Sequence, residues 1–116
     1  MKKIITRYSH PIRGILYALR NDRSYRTQVY SIGLVVVAVF MYFEPLAVWE
    51  VLFVLLAYAL VLITELQNSA LEAALDRLHP ELHDMIGKSK DMAAGAVLTA
   101  GLFLLIVVVA LFVGRL

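Results

Sequence analysis

Cysteine is absent from this chain, which removes disulfide staples, thiolate nucleophiles and cysteine-based metal sites from its possible chemistry. Lysine and arginine are absent from Thr27 to Asp76, and only 17% of all residues are charged. With 61% of its 116 residues apolar and a mean hydropathy of +0.78, the chain is too apolar for a water-soluble domain of this length. An integral membrane protein remains. A secretory leader is missing too: Lys2, Lys3, Arg7 and Arg13 interleave with apolar residues, so the N-terminus is expected to be mature sequence. Repeats, low-complexity tracts and linkers are also missing, which predicts one domain over residues 1–116.

Three apolar runs are present. A hydrocarbon core of about 30 Å takes roughly 20 helical residues to cross. Residues 27–43, 46–76 and 91–114 are therefore expected as three membrane helices, the second running on into a polar end. The link around Glu44 and Pro45 holds no cation and is flanked by Tyr42, Phe43 and Trp49, an interfacial aromatic belt. That link is expected outside. Seven cations precede the first span (Lys2, Lys3, Arg7, Arg13, Arg20, Arg23 and Arg26), and Arg77, Lys88 and Lys90 lie in one later polar segment. By the positive-inside rule the N-terminus and the 76–91 loop are cytoplasmic and the C-terminus is outside.

The N-terminal arm, residues 1–25, has its own periodicity. At 100° per residue, Ile4, Ile5, Tyr8, Ile12, Ile15, Leu16 and Leu19 fall within an arc of about 120°, opposite Lys3, Arg7, Arg13 and Arg20. This predicts an amphipathic helix on the membrane surface, bent or broken at Pro11. Such an arm is either an anchor on anionic lipid or part of an active site, and periodicity does not choose between them. The expected fold class is thus all-α integral membrane: a surface helix followed by three transmembrane helices.

The second span ends in LITELQNSALEAALDR, where Glu65, Asn68, Ser69, Glu72 and Asp76 share one helical face. Measured from Trp49 and Glu50 at the outer interface, a rise of 1.5 Å per residue puts Glu65 about 22 Å inward and Glu72 about 33 Å inward, at the inner water boundary. Carboxylates about 10 Å apart do not share a proton as a dyad, so the pair calls for two separate roles. Asn68 and Ser69 could simply hydrogen-bond neighbouring helices together. Glu65 with Glu72 is harder to explain that way, because intramembrane acids are costly and functional by default.

Two apparent motifs in the polar segment fail. Gly87-Lys88-Ser89 resembles the end of a P-loop, but the first glycine of that motif is replaced by Leu82 and no strand precedes it. His79 and His83 stand four apart, yet no third ligand follows at a zinc spacing. What the segment does supply is Lys88, Lys90 and Asp91 just ahead of the third span, cations and an acid suited to phosphate and magnesium.

The run ELQNSALEAALDRLHPELHDMIGKSKDMAAGAVL resembles the signature of the small prokaryotic lipid kinases, the diacylglycerol kinase and undecaprenol kinase family. The matching positions are Glu65, Asn68, Ser69, Ala70, Glu72, Asp76, Lys90, Asp91 and the small residues 92–96. The arm stretch GILYALRNDRSYRTQ is similar to the family's as well. The resemblance implies a homotrimer with composite active sites that transfers a phosphoryl group from ATP, with Mg2+, to a membrane lipid alcohol. It implies Glu65 as the catalytic base, Asp22 and Glu72 as metal ligands, and Lys3, His10, Asp22, Glu72, Glu81, His83, Lys90 and Asp91 at the nucleotide, with Asn68 and Asp76 as supporting polar residues. Diacylglycerol is the expected acceptor and undecaprenol the runner-up; no nucleic-acid partner is expected. The chain departs from the family pattern at Asp22, where glutamate is usual, and at Gln67 and Gln28. A bacterial cytoplasmic membrane is the implied location. The rival from another class is a small proton or ion translocator with Glu65 as carrier, which leaves His83, Lys90 and Asp91 unexplained.

Overall fold

The computed structural model describes the backbone of residues 2–81 and 83–116, and side chains from Arg7 onward apart from Leu82. Among these residues are four helices: α1 (Lys2–Asn21), α2 (Arg23–Tyr42), α3 (Val48–Leu78) and α4 (Asp84–Gly114). The last three are long and apolar enough to cross a membrane. α3 packs against α4 and α2, and α1 touches α2.

The helices outrun the apolar runs that announce them. α2 begins at Arg23 instead of residue 27, and α4 begins at Asp84 instead of 91, which places Lys88, Lys90 and Asp91 inside a helix and not ahead of one. The reason is capping: an apolar run ends where the bilayer ends, whereas a helix ends where its terminal N–H and C=O groups find partners. Asp22 caps α2, its Oδ1 accepting from Ser24 N at 3.0 Å and Tyr25 N at 3.2 Å. His83 caps α4, its Nδ1 accepting from Met85 N at 3.1 Å. α1 continues through Pro11 without a break. Pro11 is exposed, so the carbonyl that its missing N–H releases is open to solvent or headgroups.

The core is a seam along α3. Glu50, Val54, Ala57, Val61 and Glu65 are its buried residues, spaced four, three, four and four apart as a helix facing its neighbours requires. Val36 and Val39 of α2, Phe43 just after it, and Ala100, Leu104, Val107 and Leu111 of α4 complete the cluster. Gly33 makes room beside it. A side chain there would come within 3.1 Å of the Tyr58 hydroxyl, which donates to the Val29 carbonyl at 2.8 Å and ties α3 to α2.

The seam therefore starts and ends with a glutamate, and the two differ. At one end Arg115 forks onto Glu50, Nη1 to Oε2 at 2.8 Å and Nη2 to Oε1 at 3.1 Å. Arg115 Nη2 also reaches the Pro45 carbonyl at 3.2 Å, and the guanidinium lies 5.4 Å from the Phe43 ring centroid. Glu50 Oε1 in turn accepts from Ala47 N at 2.9 Å, so one buried acid joins the 43–47 link, the start of α3 and the end of α4. At the other end, Glu65 has no such cation among the described residues.

Candidate active site

Glu65 is 4% exposed, and among the described residues its carboxylate receives one side-chain hydrogen bond, from Ser24 Oγ to Oε1 at 2.6 Å. The donor is neutral. Burial strips a carboxylate of water, and structural acids in low-dielectric surroundings are normally matched by a cation, as Glu50 is by Arg115. A buried acid held by a single hydroxyl is instead the kind of group found at functional sites.

The bond exists because of the elbow between α1 and α2. Asp22 carries its carboxylate to the positive end of α2, while Arg26 Nη1 donates back to the last carbonyls of α1, to Arg20 O at 3.1 Å and Leu19 O at 3.3 Å. Each charge sits at the helix end whose dipole favours it. This fixes Ser24 in the first turn of α2, against the end of the α3 seam. Between α1, the elbow and α3 lies a cavity of about 760 Å3. Gly14, Ile15, Ala18, Leu66 and Ala70 give it apolar walls, and Asp22, Ser24 and Ser69 add polar groups. That is the size and lining of a small-molecule or lipid pocket.

Further along α3 the polar face leaves the core. Glu72 is exposed and accepts from Asn68 Nδ2 at 3.4 Å, while Asn68 Oδ1 is buried without a partner among the described residues. Asp76 accepts from Lys90 Nζ at 2.6 Å, which joins the polar end of α3 to the first turns of α4. The stripe thus acts as a set of separate connections: Glu65 to α2, Asn68 to Glu72, Asp76 to α4.

The remaining sequence-predicted residues are more scattered. Glu81 stands in the link after α3, 3.9 Å from His79 Nδ1. His83 spends Nδ1 on the α4 cap, which leaves Nε2 for a further partner. His10 on α1 and Asp91 on α4 are exposed, and no contact within the described residues brings either to Glu72. The side chain of Lys3 lies outside the described residues. Asp22 and Glu72 are not joined by any hydrogen bond among the described residues, and these hold no cluster of three potential metal ligands. Two hard carboxylates still suit Mg2+, which is held through one or two carboxylates together with substrate phosphates. The cap uses Oδ1 of Asp22 and leaves Oδ2 available.

Sequence reasoning missed Ser24, Arg26 and the Glu50–Arg115 pair. Asp-x-Ser ahead of an apolar run is a helix-start signal and marks the elbow. A lone acid and a lone cation at the same end of neighbouring spans could have suggested Glu50 with Arg115. Nothing local could have joined Ser24 to a residue 41 positions away.

Three membrane-length helices, a buried acid bonded to a serine that lines a cavity of about 760 Å3, and a polar end with carboxylates and a lysine define a helical membrane protein with a candidate site at one end. A sequence model of the family described as prokaryotic diacylglycerol kinase matches residues 9–112. The diacylglycerol kinase of Escherichia coli is 34% identical over 98 residues, 84% of this chain and 79% of its own length. That of Haemophilus influenzae is 28% identical over 95 residues, 82% of this chain and 77% of its own. A diacylglycerol kinase of Synechocystis sp. is 30% identical over 106 residues, 90% of this chain and 59% of its own. The chain belongs to the prokaryotic diacylglycerol kinase family, a family of lipid kinases.

Proposed function

We propose that the protein phosphorylates diacylglycerol to phosphatidic acid with ATP, working as a homotrimer in a bacterial cytoplasmic membrane. The observation that carries this reading is Glu65, a buried carboxylate with no cation partner among the described residues, beside an apolar cavity about 760 Å3 in volume. A lipid hydroxyl is a poor nucleophile at neutral pH, and a carboxylate at headgroup depth can take its proton as the oxygen attacks phosphorus. The acyl chains stay in the apolar cavity and the membrane, and the phosphates stay in water. Asp22 and Glu72 are the carboxylates that would hold Mg2+, which when bound neutralises charge on the transferred group. Lys90, His83, Glu81, Asp91, His10 and Lys3 are assigned to the nucleotide. Lys90 is kept extended by Asp76, and Asn68 steadies Glu72. The amphipathic α1 lies on the cytoplasmic face as the cover of the cavity.

Diacylglycerol is preferred to undecaprenol because the compared relatives bear its name. Purified protein in mixed micelles with ATP and Mg2+, offered each lipid separately, tests the choice. Phosphate incorporation into diacylglycerol at a kcat/KM well above that for undecaprenol is expected. The reverse ratio would make undecaprenol the substrate, and incorporation into neither would end the lipid-kinase reading for this chain.

A further inference from the structure

Ser24 lines the cavity and Glu65 does not. The same hydroxyl donates to Glu65 Oε1 at 2.6 Å, so Ser24 stands between the space where an acceptor lipid would lie and the acid that would take its proton. A serine hydroxyl has one proton to give and two lone pairs with which to accept. Its proton is committed to Glu65, and its lone pairs remain for a donor.

We propose that Ser24 is a proton relay that connects the acceptor hydroxyl in the cavity to Glu65. This rests on the reading of Glu65 as proton acceptor and of the cavity as the acceptor site. In the transferring step the lipid oxygen bonds to the terminal phosphorus of ATP and the bond from that phosphorus to the leaving ADP oxygen breaks. The lipid proton passes to Ser24 Oγ while the original Ser24 proton passes to Glu65 Oε1, which later returns it to water. Serine is regenerated, and charge and atoms balance.

Two features favour a relay over a packing contact. The bond is short and ends on a buried acid that has no other side-chain donor among the described residues. Ser24 is also held at both ends: its own N–H is fixed by Asp22 Oδ1 at 3.0 Å, so its hydroxyl is presented from a capped first turn and not from a free loop. The elbow thus lends its rigidity to the proton path.

The test compares Ser24→Ala, Ser24→Thr and Glu65→Gln in micelles with diacylglycerol, ATP and Mg2+, with melting curves for each. Ser24→Ala is expected to lower kcat about tenfold or more. Its KM for diacylglycerol should stay within about twofold of wild type, and Ser24→Thr, which keeps the hydroxyl, should retain kcat within about threefold. Ser24→Ala turning over like wild type while Glu65→Gln is inactive would overturn the relay alone. Glu65→Gln turning over like wild type would overturn the base assignment beneath it. A second measurement needs no variant: single-turnover rates of the wild type in mixtures of H2O and D2O. Two protons in flight predict a bowed dependence on deuterium fraction, and a straight line would rule out the relay.

Discussion

Two glutamates occupy the same buried face of α3, Glu50 at one end and Glu65 at the other, and their partners set them apart. Glu50 meets a guanidinium that forks onto both of its oxygens, a geometry that lysine does not reproduce. Glu65 meets a serine hydroxyl. The first arrangement neutralises the acid and ties it into the structure; the second leaves the carboxylate with a neutral donor in a place from which water is largely excluded. At residue scale this predicts opposite phenotypes for the same substitution. Glu50→Gln should lower the melting temperature in micelles and leave turnover at 25 °C close to wild type, whereas Glu65→Gln should leave melting close to wild type and remove turnover. Both glutamates stand out in the sequence as acids in apolar runs. Their roles do not, because each role is decided by a partner 65 or 41 residues away. The resemblance singled out Glu65 by its motif, and the structure pairs it with the Ser24 hydroxyl.

The decisive element is the elbow at Asp22. Its carboxylate has two assignments: it caps α2 through Oδ1, and it is proposed as a ligand for Mg2+. These can be separated. Asparagine is about as good a cap as aspartate, while alanine in place of a capping residue costs about 0.5–2 kcal/mol. Asp22→Asn should therefore preserve the melting temperature but raise the Mg2+ concentration needed for half-maximal rate; Asp22→Ala should lower both stability and metal response. Titrating Mg2+ against rate, with melting curves in parallel, checks both. The junction of α3 with α4 makes a second case. Lys90 is proposed at the nucleotide and donates to Asp76 at 2.6 Å. Asp76→Asn is expected to raise the KM for ATP severalfold with the KM for lipid unchanged, measured by varying each substrate in turn. Element boundaries were the part least legible in the sequence. Hydropathy marks where the bilayer runs along the chain, but α2 and α4 extend beyond it because Asp22 and His83 supply caps in water.

At the scale of the molecule, the helices are joined at their two ends by different means. One end is closed by Arg115, which reaches Glu50 and the carbonyls of Phe43 and Pro45. The other is connected by single bonds to Ser24 and Lys90. A firmly closed end at Glu50 and a more loosely connected end at Glu65 agree with the proposed site at the Glu65 end. The small residues of α4 divide in the same spirit. Ala100 is buried against α3, whereas a side chain at Gly95 or Gly101 would meet nothing within 4 Å among the described residues outside its own helix backbone. Small residues with open space suit close approach by another helix, which agrees with the proposed homotrimer. Gly95→Leu should leave the helical content of the chain unchanged and shift the detergent-solubilised species below trimer mass in sedimentation experiments. Three membrane-length helices were readable from run lengths alone. The cavity beside Ser24 was not, since it is made by the angle at which α1 meets α2 and by the Gly14, Ala18 and Ala70 surfaces that leave it empty.

The central claim is that Glu65 is the proton acceptor for phosphoryl transfer to a lipid. The most direct measurement is the rate of phosphatidic acid formation by wild type and Glu65→Gln in diacylglycerol micelles with ATP and Mg2+, at matched helical content and oligomeric state. The account predicts a fall in kcat of about 10²–10⁴-fold for Glu65→Gln. Equal turnover by the two proteins would contradict it.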